Sequence, residues 1–321
     1  MPSEFDLIRR YFSHPAPGTL LGVGDDCALM VPTPGQELAV STDLLVAGRH
    51  FFAGTDPLRL GHKAVAVNLS DMAAMGAQPR WVTLGLALPQ TDENWVEAFA
   101  AGFHTLLQQH GVDWVGGDTT AGPLTIAVTI LGEVPPLQAL RRSGAQAGDD
   151  IWVSGTVGDA ALGLRCLKDG WTLPANDRQF CLDRLDTPTP RVALGLALRG
   201  LAHAAIDISD GLLADLGHLL EASGVGARVH LESIPCSAAL HRQRGHAGWE
   251  ALPLAGGDDY ELCFAAAPAA ASRIQQAAAR ADVMVTRIGV ITAGVERVLL
   301  DGNGTAMAFA WQGFDHFRTL P

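Results

Sequence analysis

The residues able to do chemistry in this chain are carboxylates that recur beside glycine, serine and threonine. Asp25 and Asp26 stand in G-V-G-D-D-C-A, Asp43 in S-T-D, and Asp71 in N-L-S-D-M. Asp118 follows in G-G-D-T-T, Asp207 and Asp210 in I-D-I-S-D-G, and Asp258 in G-G-D-D-Y-E. Carboxylates next to flexible glycine backbone suit an anion carried together with its metal, because the N–H groups approach the anion while the Asp holds the cation. Apolar β-formers on either side of P-T-P-G-Q predict a hairpin from Gly22 to Asp43, joined at Pro32–Gln36. With Val31 facing Leu38, that register sets Asp26 opposite Asp43, with Asp25, Ser41 and Thr42 alongside. Like charges facing across a ladder repel, and a polyvalent cation reverses the sign. A single such pair also reads as two solvated strand ends, so the argument rests on the recurrence.

The elements that carry these residues follow from periodicity and caps. Asp56 as N-cap and Pro57 at the first helical position start a helix that runs to Gly76. Asn68 and Asp71 share one of its faces, and Asp71 sits toward the carboxyl end, where the helix dipole disfavours an anion and a bound cation would offset it. W-V-T-L-G-L-A-L-P reads as a buried strand, and a helix follows from about Asp92 to His110, stopped by Gly111. The strand V-D-W-V is expected to run out into Gly116-Gly117-Asp118, and T-I-A-V-T-I-L-G closes the first half. The stretch 134–150 turns to Pro, Gln, Arg and Gly, which marks a domain junction and divides the chain into 1–138 and 139–321. Arg141 and Arg142 lie there, either solvated or as a clamp for a phosphate.

In the second half, D-I-W-V-S-G-T-V-G-D reads strand, turn, helix, without dinucleotide-binding glycine spacing. Residues 171–190 read as Pro-rich and irregular, and 191–201 as helical. In A-A-I-D-I-S-D-G-L-L a short strand carries Asp207 and Ser209 on one face and leads to Asp210 as the N-cap of a helix. G-G-D-D-Y-E-L makes Asp258, Asp259 and Glu261 available before another strand, and D-G-N-G near the end is a hairpin turn. His50 follows the first hairpin, placed to meet an anion or ring, and the tail G-F-D-H-F offers aromatics to cover a flat ligand.

Composition narrows the classes. At 321 residues, with 48% hydrophobic and 17% charged, the chain is expected to be a compact two-domain α/β enzyme. A net charge of −12 argues against a nucleic-acid face but allows a phosphorylated small molecule bound through metal ions. Neither Lys63 nor Lys168 lies in a phosphate-binding loop of the G-x-x-x-x-G-K type. Cys27, Cys166, Cys181, Cys236 and Cys263 form no C-x-x-C pair, so no disulfide framework or zinc site is indicated. No apolar run reaches the roughly 18 residues of a membrane span, and M-P-S-E-F-D lacks the pattern of a signal peptide, so a cytoplasmic protein is expected.

Collected in order, G-D-D-C-A, S-T-D, V-A-G-R-H, N-L-S-D-M-A-A-M-G-A, G-G-D-T-T, R-R-S-G-A, I-D-I-S-D-G-L and G-G-D-D-Y-E-L resemble the thiamine-monophosphate kinase family over nearly the whole chain. That family belongs to the superfamily of aminoimidazole ribonucleotide synthetase. The resemblance implies mixed α/β (α+β) architecture, with an N-terminal domain whose strands pair with a second subunit's into a β-barrel. It also implies a C-terminal α/β domain, a homodimer, and ATP held between domains. On matching positions, Asp26, Ser41, Thr42, Asp43, Asp71, Asp118, Asp207 and Asp210 would hold several magnesium ions. Gly117, Asp118, Arg142 and Ser209 would contact ATP, and His50, Asp258 and Phe314 would contact thiamine monophosphate. The family leads one to expect Glu where this chain has Asp258, which shortens that contact.

The chemistry so implied is transfer of the γ-phosphoryl group of ATP to a phosphate, which needs positioning and charge neutralisation rather than a protein nucleophile or base. No H-E-x-x-H or G-x-S-x-G signature is present. Two other readings stay open at this point. One is a different ATP-dependent enzyme of the same superfamily, although this chain lacks the catalytic Cys of the selenophosphate branch and the terminal Cys of the hydrogenase-maturation branch. The other is a non-catalytic divalent-metal-binding module.

Overall fold

The computed structural model describes residues 4–311; Phe314 lies outside them. Close contacts divide the chain into two units, one of residues 1–72 and 77–137, the other of 73–76 and 138–321.

The first unit opens with the short helix α1 (Glu4–Leu7) and a π-helical turn at Ile8–Phe12. It continues through β1 (Glu37–Val46), α2 (Pro57–Ala74), β2 (Gln78–Leu88), α3 (Glu93–His110), β3 (Asp113–Ala121) and β4 (Thr125–Val134). The helix boundaries obey their capping residues. Asp56 accepts the Arg59 N–H at 3.0 Å, and Asp92 accepts those of Asn94 and Trp95. Gly76 and Gly111 take left-handed conformations that end α2 and α3. The strands form one sheet in the order β1-β4-β2-β3, antiparallel except for the β2/β3 pair. Trp81, Val82, Leu84 and Leu86 of β2 and Ile126, Val128 and Ile130 of β4 are buried with Phe99, Phe103 and Leu107 of α3. Helices α2 and α3 cross where neither can carry a side chain. A Cβ on Gly61 would lie 2.1 Å from the Phe99 carbonyl, and one on Gly102 would lie 1.9 Å from that of Leu58.

The hairpin expected at 22–43 does not form. Segment 20–31 makes only isolated bridges such as Leu21 to Leu29, and β1 pairs along its whole length with β4, Ser41 opposite Ile130 and Asp43 opposite Val128. Strand β4 offers ten alternating residues in register, more ladder and more buried surface than the short, glycine-broken segment before Pro32. Asp26 therefore does not face Asp43. The glycines after V-D-W-V also differ from expectation, because β3 runs straight through Gly116-Gly117-Asp118 beside β2, with a register shift at Val82/Thr83.

The second unit is built on a seven-stranded mixed sheet in the order β11-β10-β7-β9-β5-β8-β6. Its strands are β5 (Asp150–Ser154), β6 (Ala204–Asp207), β7 (Gly226–His230), β8 (Leu262–Ala266), β9 (Val285–Thr292), β10 (Arg297–Leu300) and β11 (Ala306–Met307). Helices α4 (Asp159–Lys168), α5 (Ala175–Asp186) and α6 (Val192–Ala197) follow β5. Beyond β6 come α7 (Leu212–Ser223), the short α8 (Ala238–His241) and α9 (Ala251–Ala255), and α10 (Ala271–Arg280). Leu212, Leu213, Leu216, Leu219 and Leu220 of α7 pack on Ile206, Val229 and Ile288 to form the core. The D-G-N-G turn joins β10 and β11 as expected, with Asp301 N–H to the Thr305 carbonyl at 3.0 Å. The stretch 171–190 is not irregular: prolines mark the ends of α5, which buries only Asp177, Cys181 and Leu185, one residue per turn.

Candidate functional site

In the first unit, β1 and α2 bring part of the expected set together. Ser41 donates its hydroxyl to the Asp71 carboxylate, and Asp43 lies two residues along on the same face of β1. Thr42 faces the other way, its hydroxyl 2.9 Å from that of Thr129. One turn before Asp71, Asn68 donates to the Ala64 carbonyl at 3.0 Å, while its buried Oδ1 meets no donor among the described residues. Asp118 stands elsewhere on the sheet, paired with Gly85, and is exposed. Its neighbour Gly117 cannot be replaced, because a Cβ there would lie 1.9 Å from the Leu84 carbonyl. Asp26 is exposed on the segment before β1.

His50 has a defined tautomer. Its Nδ1 accepts the Val46 N–H at 2.9 Å, so the neutral ring carries its proton on Nε2 and presents a donor there.

In the second unit two acidic segments are zipped together by main-chain bonds. Tyr260 N–H reaches the Ile208 carbonyl at 2.8 Å, Ile208 N–H the Glu261 carbonyl at 2.8 Å, and Asp258 N–H the Ser209 carbonyl at 2.9 Å. These continue the β6/β8 ladder, where Asp207 pairs with Leu262. Asp207, Ser209, Asp210 and Asp258 are thus held on adjoining strands of chain. Arg142 is exposed on a segment bound alongside β6, where the Arg141 carbonyl accepts the Ala205 N–H at 2.9 Å.

Asp210 is not the cap of α7. Gly211 occupies that place, and Asp215 reaches back to accept the N–H groups of Ser209, Asp210 and Gly211 at 3.0, 3.0 and 3.1 Å. Three main-chain donors favour its anion, yet burial and then the charges of Asp207 and Asp210 push its pKa up to about 7. The crowding of carboxylates expected at the first hairpin is found here instead. Sequence reading passed over Asp215, whose signal was an Asp in the first turn of a helix just after the glycine.

Asp259 and Glu261 are not available to a ligand; both are buried. Asp259 Oδ2 accepts the Gly158 N–H at 2.8 Å, and burial raises its pKa. Glu261 receives Arg191 through both oxygens at 2.7 and 2.5 Å, Arg184 at 2.8 Å and the Ser154 hydroxyl at 2.6 Å. Arg184 also donates to the Asp259 carbonyl at 3.1 Å. These arginines brace the segment that carries Asp258.

Among the described residues no group of three or more His, Cys, Asp or Glu side chains stands ready to hold a metal ion alone. Carboxylate and hydroxyl oxygens in ones and twos, an orphaned Asn68 oxygen and the crowded Asp207, Asp210 and Asp215 fit magnesium. That ion keeps waters and takes one or two carboxylates together with substrate phosphates, whereas a structural zinc site needs a closed set of protein ligands. No described helix is long and apolar enough to cross a membrane.

Comparison with known proteins covers nearly the whole chain. Residues 24–134 match the N-terminal domain, and residues 146–301 the C-terminal domain, of AIR synthase related proteins. The thiamine-monophosphate kinase of Salmonella typhimurium is 45% identical over 320 residues, covering 98% of each chain. The crystal structure of thiamine-monophosphate kinase from Stenotrophomonas maltophilia K279a superposes with a TM-score of 0.84 at 49% identity, over 91% of this chain and 93% of that one. A structure described as AaThiL complexed with AMPPCP and TMP matches with a TM-score of 0.78 at 29% identity, over 98% and 96%. The chain belongs to the thiamine-monophosphate kinase family of the AIR synthase related proteins.

Proposed function

We propose that this chain transfers the γ-phosphoryl group of ATP directly to the phosphate of thiamine monophosphate, giving thiamine diphosphate and ADP. The observation that carries the reading is the agreement between a 45% identical kinase over 98% of both chains and acidic, glycine-bearing segments that survive as built features of the fold. The solved relative described with AMPPCP and TMP supports the same pair of substrates.

Asp26, Ser41, Thr42, Asp43, Asp71, Asp118, Asp207 and Asp210 would hold magnesium ions. Bound there, the metal supplies neutralisation of the charge on two polyanions brought together. Gly117, Asp118, Arg142 and Ser209 position ATP. Gly117 is exposed on β3 and would offer its main chain to a phosphate, and Arg142 provides a planar pair of donors. His50, through its Nε2 proton, and Asp258 position the acceptor. A phosphate monoester loses its second proton near pH 6, so the attacking oxygen is already an anion at neutral pH and no base is required. The buried Cys181 and Cys263 thiols are pushed up, to about 12 for Cys181, which removes them as nucleophiles.

A homodimer fits the exposed face of β1, an edge strand that presents Leu38, Val40 and Leu44 at 49%, 60% and 54% exposure. Pairing of that face with a second copy would bury them.

The test is steady-state turnover with ATP and magnesium against a panel of acceptors: thiamine monophosphate, thiamine and other phosphate monoesters. Selective production of thiamine diphosphate supports the reading. Turnover only with another acceptor favours a different enzyme of the superfamily, and magnesium binding without any turnover favours a metal-binding module. Inversion at a chiral γ-phosphorus, with no label left on the protein by ATP alone, is expected for a single displacement.

A further inference from the structure

The G-G-D-D-Y-E segment contains more construction than a simple contact needs. Asp258 and Tyr260 hold φ of 68° and 50°, a left-handed conformation that residues with a side chain seldom adopt, on either side of the inward-pointing Asp259. Main-chain bonds to Ile208 and Ser209 and the bond from Gly158 to Asp259 fix both turns of the backbone. Gly257 is pressed so closely on this partner strand that a Cβ would lie 2.5 Å from the Ser209 carbonyl. The result is that the Tyr260 ring is buried while its hydroxyl returns to donate to Asp258 Oδ1 at 3.0 Å.

A ring that only filled the core would need no hydroxyl aimed at a half-buried carboxylate; phenylalanine would fill the same space. A hydrogen bond to one oxygen sets the plane of the carboxyl group, and a set plane matters only to a directional partner. The acceptor of the proposed reaction offers two cationic or polar regions away from its phosphate. Its thiazolium is a diffuse charge, indifferent to carboxylate orientation, whereas its aminopyrimidine carries an N–H donor that needs an aligned lone pair.

We propose that Tyr260 is a positioning residue: its hydroxyl orients the Asp258 carboxylate to accept a hydrogen bond from the amino group of the acceptor's pyrimidine, which makes this pair a determinant of acceptor specificity. The inference rests on the reading of Asp258 as an acceptor contact. Pre-organisation of this kind raises affinity by removing conformations that the carboxylate would otherwise lose on binding.

The experiment compares Tyr260→Phe and Asp258→Asn with the native enzyme in two-substrate kinetics. The acceptors are thiamine monophosphate and oxythiamine monophosphate, in which an oxo group replaces the amine. Freeing the Asp258 carboxylate to rotate predicts that Tyr260→Phe raises KM for thiamine monophosphate by about three- to tenfold, with KM for ATP unchanged. The preference for the amine over the oxo analogue should fall by about the same factor. If Asp258→Asn gives those changes and Tyr260→Phe does not, the positioning role is refuted while Asp258 keeps its place. If neither variant moves the acceptor KM, the Asp258 contact itself is wrong. If Tyr260→Phe raises both KM values together and lowers the melting temperature, the hydroxyl is structural and the proposal fails.

Discussion

Replacing Glu261 by Gln is the sharpest perturbation of the scaffold behind the acidic segments. Glu261 is fully buried, and its two oxygens are met only by donors: Arg191 Nε and the Ser154 hydroxyl at Oε2, Arg191 and Arg184 guanidinium nitrogens at Oε1. Glutamine keeps the shape but offers one oxygen and one NH2, so either flip aims a donor at two donors. It also takes from Arg184 and Arg191, at 12% and 17% side-chain exposure, the carboxylate that both of them bond. Removing one partner of a buried ion pair typically costs about 3–5 kcal/mol. For a unit of this size each kcal/mol shifts the melting temperature by roughly 2–4 °C, so a fall of roughly 6–20 °C is expected. Scanning calorimetry of the whole chain reads it, with Arg165→Ala as the control. That residue's pair with Asp169 is half exposed, so its loss should cost less than about 1 kcal/mol. A Glu261→Gln protein melting within about 2 °C of native would refute the reasoning that this network braces the segment from 256 to 261.

Other expectations follow from named contacts. Asp43→Asn should abolish turnover while the metal-free protein melts no lower than native, because the change removes a proposed metal ligand without opening the core; near-native turnover would contradict it. Arg142→Ala should raise chiefly the KM for ATP, and His50→Ala chiefly that for thiamine monophosphate, each by about ten- to a hundredfold in two-substrate kinetics. Gly102→Ala should destabilise by about 1–3 kcal/mol in urea unfolding, since its Cβ would lie 1.9 Å from the Leu58 carbonyl. Burial, with His14 stacked at 3.6 Å, lowers the pKa of His104, and burial beside His62 lowers that of His110. An unfolded chain then takes up protons before the folded one does. Stability from this source is whole above the ordinary imidazole value of 6.5 and is lost as pH falls below it, and His104→Gln should flatten the melting temperature between pH 7 and 5.

What could be read in the sequence was what local physics decides. The caps Asp56, Pro57 and Gly76 for α2, and Asp92 and Gly111 for α3, fall where the chain places them, because a cap is satisfied within a few residues. The partner of β1 is a distant choice. P-T-P-G-Q signals a turn whether or not the segment before it is the better ladder, and β4, far along the chain, is the better ladder. Gly116 and Gly117 carry a turn signal too, yet both continue β3, and at Gly117 only glycine tolerates the approach of the Leu84 carbonyl. Helix α5 stayed hidden because prolines surround it and its buried stripe is one residue per turn. Asp259 and Glu261 read as available acids because their partners, Gly158, Arg184 and Arg191, lie 70 or more residues away. The acidic motifs themselves were visible throughout; which of them meet is a property of the ladder between β6 and β8 and of the contact between β1 and α2.

If a phosphoryl group passes from ATP to the phosphate of thiamine monophosphate, the γ-phosphorus must end in the product. Purified protein is incubated with γ-labelled ATP, thiamine monophosphate and magnesium, and the products are separated. Label is expected in the terminal phosphate of thiamine diphosphate, one equivalent for each ADP formed, and none when the metal is chelated. Label released only as inorganic phosphate, or thiamine diphosphate formed without label, would contradict it.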